Sequence, residues 1–345
     1  MSRSQPLVSI CLPTYNAGRT VMSTLQSILN QTYHNLEILV VDNASTDNTL
    51  SLLQQINEPR LVVHRNERNI GAEANFSRCI ELASGDYIAI FHADDLYQPN
   101  MVEEQVRTLQ DNPSVRAVFT LADLINDRDE VIGETKLPAR LRGRRIHCFP
   151  QMFLSILENG NFLMCPSCMV RGKLYKELAP FDGERFGTSA DLDMWLRILE
   201  KGPVTVLDEK LMSYRISTTH GTYQFRFFHT KEADFFKVMD YHLSLKSGVS
   251  DIPRSVLNKY EFQRSLDKIM RAMNHLNEGE SPEAKRLLRE ALSTRAFRGA
   301  TRSIGRPKAL ALWLCGIVLL GSGHLRRYVA KSLGWLMHRV NRGVI

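Results

Sequence analysis

The sequence predicts an α/β fold in which a mainly parallel sheet is flanked by helices and followed by a helical C-terminal extension. Three observations point there. Short apolar runs (LVSICLP, LEILVVDN, RLVVHRN and DYIAIF) alternate with amphipathic stretches through the first 95 residues. Strands that alternate with helices need crossover connections, and these build parallel sheets covered on both faces. Polar clusters follow three of the runs directly, and open α/β sheets bind ligands beyond the carboxyl ends of their strands.

Leu7 to Pro13 reads as a short buried strand, followed by the loop TYNAG and a helical stretch from Thr20 to about Asn30. Leu36 to Asn43 is a second buried strand, and Thr46-Asp47-Asn48 offers N-cap chemistry for a helix towards Gln55. RLVVHRN repeats the strand signal, and GAEANFSRCIELASG is helical with a glycine stop. The fourth strand, DYIAIF, breaks into His92-Ala93-Asp94-Asp95 ahead of Pro99. Two adjacent carboxylates at the end of a buried strand repel each other, and one buried beside the other has a raised pKa unless a cation compensates.

Beyond Val131 the pattern loosens, and GETKLPARLRGRRIHCFP reads as a loop carrying a basic patch. Apolar helical periodicity returns in QMFLSILENG and DLDMWLRILEKG, with MCPSCMV between them as a semi-buried strand. The CPSC pair, with His147-Cys148 upstream, also spells a zinc site on paper, but the spacing is loose and no second CxxC exists. From Lys231 to about Ser293 the chain is mostly helical. Gly279 stops one helix and Ser281-Pro282-Glu283 starts the next.

The net charge of +7 is concentrated at the C-terminus: Ser281 to Ile345 holds 13 Lys/Arg against 2 Asp/Glu, so the remainder is slightly acidic. Ala309 to Leu325 carries no formal charge, between Arg302, Arg306 and Lys308 on one side and Arg326-Arg327 on the other. As a helix it is about 26 Å long, short of a roughly 30 Å hydrocarbon core. YVAKSLGWLMHRV then has the pattern of a basic amphipathic helix, a membrane-surface signature. The tail lacks the aromatic interleaving of a nucleic-acid binder, so no nucleic-acid partner is expected. Six scattered cysteines and no signal segment set the expectation of a cytoplasmic protein, peripherally associated with the inner face of the cell membrane.

The stretch SICLPTYNAGRTVMSTLQSILNQTYHNLEILVVDNASTDNT, then NIGAEANFSRCIELASGDYIAIFHADD, resembles the family 2 glycosyltransferases, inverting enzymes of GT-A fold that use nucleotide-sugar donors. The match runs through about the first 125 residues and resumes at FDGERFGTSADLDMWLRIL; the final hundred or so lie outside it. The resemblance implies a GT-A domain over 1–225; the residue pattern beyond it adds a helical extension over 226–300 and a membrane-associating tail over 301–345. It places Pro13, Thr14, Tyr15, Asn16, Asp42, Asn43, Ser45, Asn69, Ala93 and Asp94 around the donor nucleotide. The family's Asp-X-Asp metal motif falls on His92-Ala93-Asp94, with histidine in place of the first acid. Asp94 and Asp95 are then the expected ligands of Mg²⁺ or Mn²⁺, with His92 and His220 as further candidates.

By the same resemblance, Asp191 is the general base, although the acid that normally precedes it is Ala190 here. Asp193, two residues further along the same helix, points about 200° away. Trp195 and Arg197 read as helix packing and a carboxylate partner. After Tyr214-Arg215 the family commonly has histidine where this chain has Ser217, and Arg215 itself reads equally as a phosphate contact or a structural ion pair. The implied reaction moves a sugar from a UDP-sugar to a glycan or lipid-linked glycan acceptor in bacterial surface-polysaccharide synthesis. The departures at His92, Ala190 and Ser217 leave one alternative, an inactive GT-A-like scaffold of a membrane complex.

Overall fold

The computed structural model describes residues 5–217, 229–245, 251–279, 281–291, 314 and 316–319. Contact clustering divides the chain into two compact units: Met1–Met152 with Asn161–Arg215, and Phe153–Gly160 with Ile216–Ile345. The N-terminal unit opens with β1 (Val8–Thr14), α1 (Val21–Leu29), β2 (Leu36–Asp42), α2 (Thr49–Leu53), β3 (Leu61–Arg65), α3 (Ala72–Leu82) and β4 (Tyr87–Ile90). This is the strand–helix alternation expected from the apolar runs, with α2 ending two residues short of Gln55.

Six more strands complete the sheet: β5 (Leu96–Tyr97), β6 (Ala117–Ile125), β7 (Val131–Glu134), β8 (Ile146–His147), β9 (Met169–Arg171) and β10 (Val204–Arg215). The path runs β3-β2-β1-β4-β9-β6-β10-β5, with β7 beside β6 and β8 beside β10. Strands β1 to β4 are parallel, as are β6 and β10, whereas β9 runs antiparallel between β4 and β6. The sheet is therefore mainly parallel with an inserted reversed strand. MCPSCMV is only partly strand: Cys165–Ser167 form a 3-10 turn, and β9 begins at Met169. A proline inside the run removes a ladder donor and favours the turn.

Period-two alternation sorts the core between the two faces. Val8, Ile10 and Leu12 of β1 and Ile38 and Val40 of β2 join a cluster with Val21, Leu25 and Ile28 of α1. Val102, Val106 and Leu109 of α4 (Met101–Asp111) belong to the same cluster. Cys11, one step out of that register, points to α3, where its thiol donates to the Cys79 carbonyl. On this second face lies α8 (Ala190–Lys201), whose Trp195 is 1% exposed and meets Phe119 of β6 edge-on at 5.2 Å. Asp193 lies on α8 with its carboxylate paired to Arg197 at 2.8 Å, and Arg197 also donates to the carbonyls of Ala179 and Pro180. Both residues are thereby structural, as the helix geometry suggested.

The rest of the N-terminal unit includes α6 (Gly172–Glu177) and α7 (Gly183–Phe186), while α5 (Phe149–Asn159) crosses from one unit to the other. The C-terminal unit contains α9 (Asp234–Ser244), α10 (Arg254–Glu278) and α11 (Ser281–Ala291). Gly279 ends α10 at φ 92°, the left-handed geometry that favours glycine, and lets α11 fold back. Ile269, Ala272 and Leu276 of α10 bury against Leu287 and Leu288 of α11 and against Leu319. Among the described residues no helix is long and apolar enough to cross a membrane. Most of the predicted tail, 301–345, lies outside the described residues, as does His220.

Candidate active site

Strands β1, β2 and β4 end together, and their following loops form the site. Pro13 and Thr14 are the last residues of β1, and the Thr14 hydroxyl donates to Asp42 Oδ1 at 3.3 Å. Asp42 ends β2 fully buried, accepting from the Ser45 backbone N–H at 3.0 Å and from the Ser45 hydroxyl. Arg65 Nε, at the end of β3, stands 3.8 Å away. A carboxylate can remain buried here because hydrogen bonds and a cation satisfy it.

Asn16 sits at φ 50° and Ala44 at φ 59°, a conformation that costs about 1 kcal/mol or more for a residue other than glycine. The two loops hold each other in it. Asn16 N–H donates to the Ser45 hydroxyl, and Asn16 Oδ1 accepts from Thr46 N–H at 2.8 Å. Tyr15 is left half exposed at their mouth. Asn43 Nδ2 donates to Asn69 Oδ1, and Asn43 Oδ1 accepts from Asn66 Nδ2 and the Ile70 N–H, fixing the loop that enters α3.

The acid turn after β4 is held from three sides. Thr20 and Thr24 of the α1 segment donate to the carbonyls of Ala93 and Asp95, each at 2.8 Å. Strand β5 pairs with the end of β10. Arg215 then closes the clamp: its N–H donates to Asp95 Oδ1 at 2.8 Å, and its Nε donates to the Asp94 carbonyl at 2.7 Å. The remaining guanidinium nitrogens are bound to the Asn126 carbonyl and to Asp129. Of the two readings of Arg215, the structural ion pair is the one observed.

His92, Asp94 and Asp95 each bring one donor atom within 4.8 Å of the others, and among the described residues they are the one such grouping able to hold a metal ion. Cys165, Cys168 and His147 form no comparable group. Burial pushes both thiols well above their usual range, which opposes zinc-binding thiolates. Burial, then the Asp94 charge, raises the Asp95 carboxyl, while burial depresses His92.

Asp191, the second residue of α8, is raised to about 7, chiefly by burial and further by the Glu73 carboxylate of α3. It accepts from Leu192 N–H at 2.7 Å. The buried Cys165 thiol is raised by burial and then by the charges of both Asp191 and Asp95, so both carboxyls lie near this thiol. Tyr175 is a further titratable neighbour, raised by burial first and in part by Asp191. Arg65, Glu73, Cys165 and Phe76, whose ring stacks on that of His92, were not singled out by sequence as site residues; they arrive from elements separated in the chain, and only the CPSC spacing had marked one of them.

The comparisons bear on family and fold. Residues 9–178 match the family described as Glycosyl transferase family 2. The putative glycosyltransferase EpsE of Bacillus subtilis (strain 168) is 29% identical over 282 residues, spanning 77% of this chain and 96% of that protein. The Escherichia coli protein named UDP-Glc:alpha-D-GlcNAc-diphosphoundecaprenol beta-1,3-glucosyltransferase WfgD is 32% identical over 135 residues, 39% of this chain and 53% of that one. Among solved structures, S. aureus TarS 1–349 in complex with UDP-GlcNAc superposes with a TM-score of 0.57 at 17% identity. That likeness extends over 94% of this chain and 91% of TarS 1–349, and it is one of fold: the sheet is of GT-A type.

The raised Asp191 makes a stability prediction. An acid whose folded pKa lies above its unfolded value, near 4, destabilises the fold as pH rises between the two. Asp191→Asn is expected to stabilise the protein by roughly 1–3 kcal/mol at pH 8, discounted for partial solvent access, and by almost nothing at pH 4. Urea denaturation at the two pH values tests this; equal effects at both would remove the case for a perturbed carboxyl.

Proposed function

Because the chain belongs to glycosyltransferase family 2, we propose that it transfers one sugar, with inversion, from a UDP-sugar to a hydroxyl of a lipid-linked glycan in bacterial surface-polysaccharide synthesis. The observation that carries this reading is the combination of a buried Asp42 and a cation-seeking acid turn, at the ends of the two parallel strands that flank β1, with a carboxyl poised near neutrality whose charge acts on the same Cys165 thiol as Asp95. The nucleotide-sugar donor and diphospholipid acceptor are supported by the names of WfgD and of the TarS complex.

In this reading Asp42 accepts hydrogen bonds from the uracil ring or a ribose hydroxyl, and its ties to Thr14 and Ser45 fix the direction of its lone pairs. Pro13, Thr14, Tyr15 and Asn16 line the base and ribose, with Asn43, Ser45 and Asn69 behind them; Ala93 and Asp94 border the diphosphate. The acid turn fits a divalent cation, Mg²⁺ or Mn²⁺. Asp95 Oδ2 is buried with no hydrogen-bond partner among the described residues, as a ligand atom would be in the absence of its ion, and His92 Nδ1 faces it across 3.9 Å. When bound there by Asp94, Asp95 and His92, the ion neutralises charge developing on the departing diphosphate.

Asp191 is the base. Inversion requires one in-line displacement, in which a carboxylate takes the acceptor proton as that oxygen attacks the anomeric carbon. A pKa near 7 suits the task, since the group is substantially ionised yet basic enough to accept a proton. The Ala190 position is buried at the helix start, so the negative neighbour of Asp191 is Glu73 instead.

The membrane association proposed for the tail is supported by its described part. Leu319 is buried in the α10–α11 cluster, whereas Leu314, Ile317 and Val318 are between 42% and 55% exposed. Such an apolar outer face in a basic segment suits the surface of an anionic bilayer.

Three outcomes are expected. Calorimetric titration with UDP, dTDP and GDP shows Mn²⁺-dependent binding of UDP, abolished by EDTA and weakened at least about tenfold in Asp94→Ala; no binding of any nucleotide would sink the donor site. The kcat/KM of transfer rises with pH through about 7 and then levels, because the active form of Asp191 is ionised, and Asp191→Asn loses that rise along with at least about 10²-fold in rate. The full chain floats with vesicles containing anionic lipid and not with neutral ones, and Ile317→Asp with Val318→Asp reduces flotation; no flotation would refute the surface role.

A further inference from the structure

We propose that His92 is a direct metal ligand that biases this site towards Mn²⁺- or Co²⁺-like cations and away from Mg²⁺; the inference rests on the glycosyltransferase reading of the acid turn. Two donors about 2.1 Å from one octahedral ion lie roughly 3 to 4 Å apart. His92 Nδ1 and Asp95 Oδ2 are 3.9 Å apart, too far for a hydrogen bond and suited to sharing an ion. The Asp94 carboxylate completes a set in which all donor atoms lie within 4.8 Å.

His92 is held as a ligand is held. Its ring stacks on Phe76 at 5.7 Å and 24°, and its backbone N–H donates to the Tyr97 hydroxyl at 2.7 Å. Neither of its ring nitrogens forms a close hydrogen bond among the described residues: Nδ1 faces Asp95 across 3.9 Å, and Nε2 is buried without a partner. Asp95 is fully buried, with Oδ1 committed to the Arg215 N–H and Oδ2 left unpartnered. Without an ion between them, the buried Asp95 Oδ2 that faces His92 Nδ1 is left unsatisfied, at a cost that native structures generally avoid.

The chemistry of the donor set gives the selectivity. Mg²⁺ is bound by charge and by oxygen, and exchanging a carboxylate for an imidazole removes one negative oxygen ligand. Later divalent ions accept nitrogen readily, and affinity for mixed nitrogen and oxygen sites rises from Mn²⁺ to Co²⁺ and beyond. His92 therefore lowers the site's affinity for Mg²⁺ more than for Mn²⁺.

The test uses the full chain, stripped with EDTA and loaded with Mn²⁺ and UDP. Pulsed electron paramagnetic resonance of the bound Mn²⁺ is expected to show nitrogen coupling, which takes the ¹⁵N pattern when the protein is labelled with ¹⁵N-histidine and vanishes in His92→Asp. By calorimetry, the ratio of Mn²⁺ to Mg²⁺ affinity is expected to fall on the order of tenfold in that variant. Mn²⁺ bound without histidine coupling in the unmutated protein would overturn the ligand assignment and leave the donor site standing. Failure of either ion to bind with UDP would overturn both. An unchanged affinity ratio in a His92→Asp protein with a normal thermal transition would overturn the selectivity.

Discussion

The site depends on one clamp. At the end of β10, Arg215 uses its backbone N–H on Asp95 and its side chain on the Asp94 carbonyl, the Asn126 carbonyl and Asp129. Arg215 is 7% exposed, and its burial is tolerable because each of its three guanidinium nitrogens has a partner, since a buried cation without partners is costly. The clamp joins the turn after β4 to a strand more than a hundred residues later. It thereby holds two like charges in a geometry that local sequence would not keep. It also removes Arg215 from the set of groups free to meet a phosphate.

Burial and neighbouring charge then separate the roles of the carboxyls. Asp42 is buried but tied by hydroxyl and backbone donors, with Arg65 beside it. Asp95 is buried next to Asp94, and both influences favour its neutral form until a cation arrives. Asp191 is poised near 7 by burial and by Glu73. In the proposed function, similar side chains would thus serve as a hydrogen-bond acceptor, a metal ligand and a base through environment alone. The loops that create these environments carry strain at Asn16 and Ala44, held by hydrogen bonds between them.

Much of this was legible in the sequence where the signal is local. The first four strands and their helices follow from apolar runs and crossover logic, and the polar clusters at their ends mark the site edge. The 12 residues of β10 and the long β6 were not foreseen, because VTVLDEKLMSYR carries charges mid-strand and its role depends on pairing with Ala117–Ile125. The reversed β9 was misread in extent, since Pro166 turns the chain before the ladder begins. Among the residues gathered at the strand ends, those in continuous motifs were expected from the sequence. Arg65, Glu73, Phe76 and Cys165 were not, because what matters about each is a neighbour supplied by tertiary packing.

The departures from the family's motif pattern look different once their surroundings are known. Ala190 is 1% exposed as the first residue of α8. A carboxylate there would need a partner inside the domain, and its charge would push Asp191 further above neutrality, making it a poorer base at neutral pH. With alanine in place, burial is the leading cause of the shift, and Glu73 adds the negative neighbour from another helix. His92 follows the same logic, because an acid in its place would add a third carboxylate beside Asp94 and Asp95. The two changes lower the negative charge beside both Asp191 and Asp95. A site arranged in this way relies less on the charge of its cation to stay folded, which makes the changes read as a retuned catalyst and not as the decay of one.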